Sequence, residues 1–84
     1  MRLHRDVSLT DTDDGSVLLQ QRTGRYFQLN VTGSRVLRRL LDGETPESIA
    51  ADLASTYGID RKRADQDVGA VIQQLKTAEL TEAS

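Results

Sequence analysis

The sequence predicts an α+β domain in which a three-stranded antiparallel sheet is followed by three helices. Three observations carry this. Apolar residues alternate in short runs up to position 29 and recur at helical spacing after it. Turn-forming residues separate the early runs closely enough for hairpins. Three cap-and-stop signals then divide the remainder into helices.

The first strand lies within 5–10, where Val7 and Leu9 stand two apart. Asp11-Thr12-Asp13-Asp14-Gly15 is a turn, with Gly15 free to take positive φ. Val17-Leu18-Leu19 makes the second strand, bounded by Gln20 and Gln21, and Thr23-Gly24 marks the next tight turn. Arg25-Tyr26-Phe27-Gln28-Leu29 is the third strand. Phe27 and Leu29 share one face, Tyr26 and Gln28 the other. Connections this short imply a meander.

Asn30 ends that strand and suits the N-cap of a helix striped by Val36, Leu37, Leu40 and Leu41. Asp42-Gly43 stops it, with Gly43 just past the end. Thr45-Pro46 opens the second helix, whose stripe is Ile49, Ala50, Leu53, Ala54 and Tyr57, ended by Gly58. Asp60 caps the third, with Ala64, Val68, Val71, Ile72, Leu75 and Ala78 on its apolar side. The order is that of the winged-helix family of shapes.

Composition narrows the function. At 84 residues the chain is one domain with a thin core and little interior for a buried active site. Eleven basic and 13 acidic residues are interspersed, giving a net charge of −2 and a pI near 5.2. A winged helix that binds DNA is expected above about pI 9, so the charge argues against that role. There is no cysteine for disulfides, thiol catalysis or thiolate zinc sites. No apolar run reaches the roughly 20 residues that span a membrane, and no signal peptide opens the sequence. The expected compartment is the cytosol.

Chemistry-bearing clusters are few. His4 is the single histidine and is expected in a frayed N-terminal segment. Asp11, Asp13 and Asp14 resemble a fragment of a calcium loop but lack its length and closing Glu, which leaves a solvated turn. Arg61-Lys62-Arg63 opens the third helix, flanked by Asp60, Asp65 and Asp67, and reads as a solvated helix start. Arg35, Arg38 and Arg39 fall off the stripe of the first helix, on its expected wet face. No nucleophile stands within reach of a base, so the chain is expected not to be an enzyme and to need no cofactor. The strand at 25–29 is more informative. It closes the meander, has one charge and no proline, and so lacks the usual edge protection. Either it accepts another strand or the third helix covers it.

Gly24-Arg25-Tyr26-Phe27-Gln28-Leu29-Asn30, followed by Thr32 and Val36-Leu37, resembles the PqqD-like family. So do Leu41-Asp42-Gly43, Thr45-Pro46, Ile49, the Leu53–Tyr57 stretch, and Asp67-Val68 leading to Leu75 and Leu80. The likeness covers about residues 7–80 of a single unit, 1–84 with its core at about 5–80. Members are RiPP recognition elements, which bind the leader of a ribosomally synthesised precursor peptide. The resemblance implies that a leader adds antiparallel to the strand Arg25, Tyr26, Phe27, Gln28, Leu29, Asn30. Its side chains would enter a groove beside the third helix, lined from among Asp67, Val68, Val71, Ile72 and Leu75, with Phe27 on the floor. Asp67 and Ala78 mark one flank of that helix and Ile72 the other, and the residues do not rank them. Gly-Arg-Tyr-Phe-Gln-Leu-Asn is most similar to the stand-alone recognition proteins of lasso-peptide clusters, where a leader peptidase and an ATP-dependent cyclase are the implied partners. The alternatives are a PqqD of pyrroloquinoline quinone biosynthesis and a DNA-binding winged helix.

Overall fold

A computed structural model describes residues 1–82. In chain order the elements are β1 (Arg2–Leu3), β2 (Val7–Thr12), β3 (Gly15–Gln20), β4 (Arg25–Asn30), α1 (Val31–Leu41), α2 (Pro46–Tyr57), α3 (Arg61–Thr77) and β5 (Thr81–Glu82). The expected α+β architecture is present. β2, β3 and β4 form an antiparallel sheet in that order, and three helices follow.

Side-chain alternation sets the sheet's two faces. Leu18 lies between Leu9 and Phe27, Ser16 between Asp11 and Leu29, and Gln20 between Val7 and Arg25. Ser16, Leu18 and Gln20 are buried, so this face meets the helices. Leu18 is wholly buried with Leu37, Ile49, Leu53, Leu75 and Leu80, one cluster fed by all three helices. β2 and β3 are joined by Asp13 and Asp14 alone, because Thr12 pairs with Gly15. Gly15 has φ +142°, and a Cβ there would stand 2.0 Å from the carbonyl oxygen of Leu29. Only glycine lets β3 begin so close to the end of β4.

The helix signals act locally, as expected. Asn30 Oδ1 accepts the Gly33 N–H at 2.8 Å, and Thr45 Oγ1 accepts the Ser48 N–H at 3.1 Å ahead of Pro46. Gly43 (φ +90°) and Gly58 (φ +63°) end α1 and α2. Asp60 stands at the N-cap of α3, but its side chain makes no capping bond.

Several features depart from the sequence-based expectations. His4 is not in a frayed tail. β1 pairs antiparallel with β5, the His4 N–H donates to the Leu80 carbonyl at 2.9 Å, and Arg2 meets Glu82 at 2.9 Å. Gln20 is the last residue of β3 rather than beyond its end, and is buried; its side-chain amide donates to the Glu79 carbonyl and accepts the Arg22 N–H. Asp11 is not simply solvated, since it accepts from Ser16 and Arg38. The arginines of α1 are fasteners: Arg35 and Arg39 both reach Asp52 on α2, and Arg39 also holds Glu44 at 2.8 Å. Hydrogen bonds from Arg38 and Ser16 hold the Asp11 carboxyl below its usual range. Arg39 does the same to Glu44, and Arg35 with Arg39 to Asp52.

Candidate functional site: an unpaired sheet edge and the groove beside it

β4 pairs with β3 on one side, and among the described residues no strand lies on the other. Its six residues include no proline and one charge, so the outer row of peptide groups has no built-in protection. Whether the third helix covers this edge is decided by how the helices pack. α3 seats mainly on α2 and, less extensively, on α1. It stands off β4 and leaves an open groove.

The groove has two parts. A hollow of about 600 Å³ lies between Arg25 and Phe27 on β4 and Ala70, Gln74 and Thr77 on α3, with Ala78 just past the helix end. A smaller one of about 350 Å³ lies beyond it, between Asn30 and Gly33 at the start of α1 and Arg63, Asp67, Ala70 and Val71 on α3. Phe27 is half-buried opposite Leu18, so one side of its ring packs on the core and the other is offered to the groove. Arg25, Arg63 and Asp67 form no ion pair among the described residues. Their charges remain available at the two ends of the groove.

The expected site residues are distributed unevenly. Arg25 and Phe27 line the first hollow; Asn30, Asp67 and Val71 line the second. Tyr26 and Gln28 point to the outer face of the sheet, where Tyr26 is 68% exposed. Leu29 is buried beneath the end of β4. Val68 and Leu75, expected to line the groove, are 2% and 0% exposed and belong to the core. They sit on the side of α3 that meets α1 and α2. Ile72, also expected there, is on the opposite flank, where it borders a separate cavity with Leu40, Pro46 and Lys76. The flank that meets the groove is the one bearing Asp67 and Ala78.

Ala70, Gln73, Gln74, Thr77 and Arg63 were not anticipated as lining residues. They do leave a trace in the sequence: Arg63, Asp67, Ala70, Gln74 and Thr77 repeat at spacings of four and three. That is a second helical stripe beside the apolar one. It is made of small and polar residues because its surface faces solvent.

This arrangement has donors and acceptors for an extended backbone and a shallow trough for alternate side chains. A free edge beside a trough is the arrangement by which domains of the strand-addition class accept a peptide. No group of acidic, histidine or cysteine side chains suited to a metal occurs among the described residues. None of the helices is long and apolar enough to cross a membrane.

The chain belongs to the PqqD family: the family profile described as Coenzyme PQQ synthesis protein D (PqqD) matches residues 15–80. Among solved structures it is similar to a lasso peptide synthetase B1 complexed with the leader peptide. That match has 39% identity, covers 98% of this chain and 96% of the other, and has a TM-score of 0.91. It is also similar to TbiB1 in complex with the TbiA(beta) leader peptide, at 33% identity, 100% and 98% coverage and TM-score 0.87. A third is the PqqD truncation of Methylobacterium extorquens PqqCD, described as a functional, stand-alone RiPP recognition element. Identity there is 30%, coverage 98% and 87%, and TM-score 0.76. No curated protein sequence matches the chain.

Proposed function

We propose that this protein binds the leader segment of a ribosomally synthesised precursor peptide and presents it to the enzymes of lasso-peptide maturation, the leader peptidase and the cyclase. The observation that carries this is the unpaired outer edge of β4 beside the open groove along α3. A leader adding antiparallel to Arg25–Asn30 completes the edge's hydrogen bonds and sets alternate side chains toward α3. Backbone pairing supplies affinity without sequence demands, and the hollows supply selectivity.

Two leader-bound relatives favour the lasso pathway over quinone biosynthesis, since they resemble this chain more in sequence and shape than the PqqD structure does. A nucleic-acid role has no support in a chain of net charge −2. The protein acts without catalysis of its own, as one recognition unit over 1–84 with its core at about 5–80, in the cytoplasm. Isothermal titration with separate leader and core segments of the precursor encoded beside this chain's gene tests the reading. Binding should be confined to the leader, with amide exchange slowed at Tyr26–Leu29. Equal affinity for both segments, or protection only away from β4, overturns it.

A further inference from the structure

The two ends of the groove are held differently. Near Asn30, α3 packs directly on α1, and Val36 and Val71 line the same hollow. Near Arg25, Leu75 and Leu80 hold the end of α3 on the core, but apolar contact sets no direction. Direction comes from one buried amide. Gln20 is the cross-strand partner of Arg25, which lines one wall of the larger hollow. It is 1% exposed, and its Nε2 donates to the Glu79 carbonyl at 3.1 Å. Glu79 directly follows Ala78, which lines the opposite wall, so this bond ties wall to wall. The Oε1 of Gln20 accepts the Arg22 N–H at 3.2 Å, and its backbone carbonyl accepts the Gly24 N–H at 2.8 Å. One residue thus fixes both the turn that leads into β4 and the end of α3.

Glu79 carries the mark of this tie. Its φ is +56°, and no other non-glycine among the described residues has a positive φ. The Glu79 N–H donates to the Lys76 carbonyl and the Leu80 N–H to the Leu75 carbonyl, a helix ending at which glycine is the common residue. Glutamate holds this conformation at a steric cost. Its exposed carboxylate reaches Arg22 at 3.5 Å, a second and looser link across the same mouth.

Resting on the strand-addition reading, we propose that Gln20 is a positioning residue: with the Glu79 carbonyl it forms a latch that sets the spacing of β4 and α3 at the Arg25 end of the groove. A leader lying antiparallel to β4 leaves the groove at this end. The latch therefore holds the path along which the leader's C-terminal part emerges.

The test uses the full chain and the leader of the precursor encoded beside its gene. Gln20→Met keeps the length and shape of the side chain and removes both of its hydrogen bonds. A net hydrogen bond favours its geometry about fivefold, so Gln20→Met should weaken leader binding roughly 5- to 25-fold. Glu79→Gly and Glu79→Val approach the latch from its exposed side. Both lose the link to Arg22, but Glu79→Gly keeps the left-handed turn that aims the carbonyl at Gln20, and the β-branched Glu79→Val does not. Glu79→Gly should bind within about threefold of wild type, and Glu79→Val about as weakly as Gln20→Met. Amide exchange adds a readout that general destabilisation does not move. In leader-bound Gln20→Met, protection should be lost at Tyr26 and Phe27 and kept at Gln28 and Leu29. Wild-type affinity of Gln20→Met, or uniform loss of protection along β4, overturns the latch and leaves strand addition standing. Equal binding by the two Glu79 variants does the same, and that pair decides alone if Gln20→Met does not fold. Absence of protection at Tyr26–Leu29 in the wild type removes both the latch and strand addition.

Discussion

Gly15→Ala isolates a contact that shapes the unpaired strand β4 from its paired side. The substitution places a methyl 2.0 Å from the Leu29 carbonyl oxygen and 2.7 Å from the Asn30 carbonyl carbon, both backbone atoms. It also holds alanine at φ +142°, a glycine region of backbone space. The conformational strain alone is about 1–3 kcal/mol, and relieving the overlap requires the strands to part, so the total is about 3 kcal/mol or more. For a domain of this size each kcal/mol moves Tm by roughly 4–8 °C, which makes the expected fall about 12–24 °C. Gly24→Ala provides the scale. Its φ is +74° but nothing lies within 4 Å of the added carbon, so strain acts without overlap and the fall should be about 4–8 °C. Thermal unfolding followed by circular dichroism measures both. Because the strands part at Leu29 and Asn30, Gly15→Ala should also weaken leader binding at temperatures where it remains folded. A Gly15→Ala variant no less stable than Gly24→Ala would refute the reasoning.

Val68→Glu should unfold the domain, because an unpaired carboxylate in this core position costs about 3–5 kcal/mol; loss of the far-ultraviolet helical signal checks it. Val71→Glu, at the half-exposed border of the groove, should leave the fold intact and weaken leader binding about tenfold or more by titration. Asp11, Glu44 and Asp52 have folded-state pKa values below their unfolded ones. Their contribution is therefore present above about pH 4 and is lost as pH falls through the depressed values. Asp52→Asn should lower Tm at neutral pH and flatten the acid limb of a Tm-against-pH profile. Precursor incubated with this protein alone should keep its mass; cleavage or cyclisation, with contaminants excluded, would contradict the non-catalytic reading.

The parts of the fold legible in the sequence are those fixed by neighbouring residues. Asn30, Thr45-Pro46, Gly43 and Gly58 act within one helical turn, so they mark helix ends without knowledge of the tertiary structure. The exposed edge of β4 was legible because protection is a matter of residue type: proline, charge or their lack. The pairing of β1 with β5 was not. Two residues carry no periodicity, and their partners, Glu82 and Thr81, lie at the far end of the chain. Nor was the groove-facing flank of α3. Val68, Ile72 and Leu75 are equally apolar, and the choice among core, groove and far side depends on how α3 crosses α1 and α2. Apolarity was also a poor guide to the groove, where an open surface favours alanine, glutamine and threonine. The arginines of α1 were misplaced for a related reason: Asp52 and Asp11 are near them only after folding.

The meeting of β1 and β5 has a consequence for how this fold can be carried. Arg2 and Glu82 are direct cross-strand partners, so the backbone enters and leaves at points about 5 Å apart. The cavity bordered by Met1, Thr81 and Glu82 is also bordered by Ile72, on the flank of α3 turned away from the groove. A host polypeptide could therefore receive the domain within a surface loop, its own chain interrupted at a single point, while the unpaired edge of β4 stays on the other side of α3 from that cavity. By the same geometry a bridge of a few residues would close the backbone into a ring, and new ends could be opened at the Gln21–Gly24 turn.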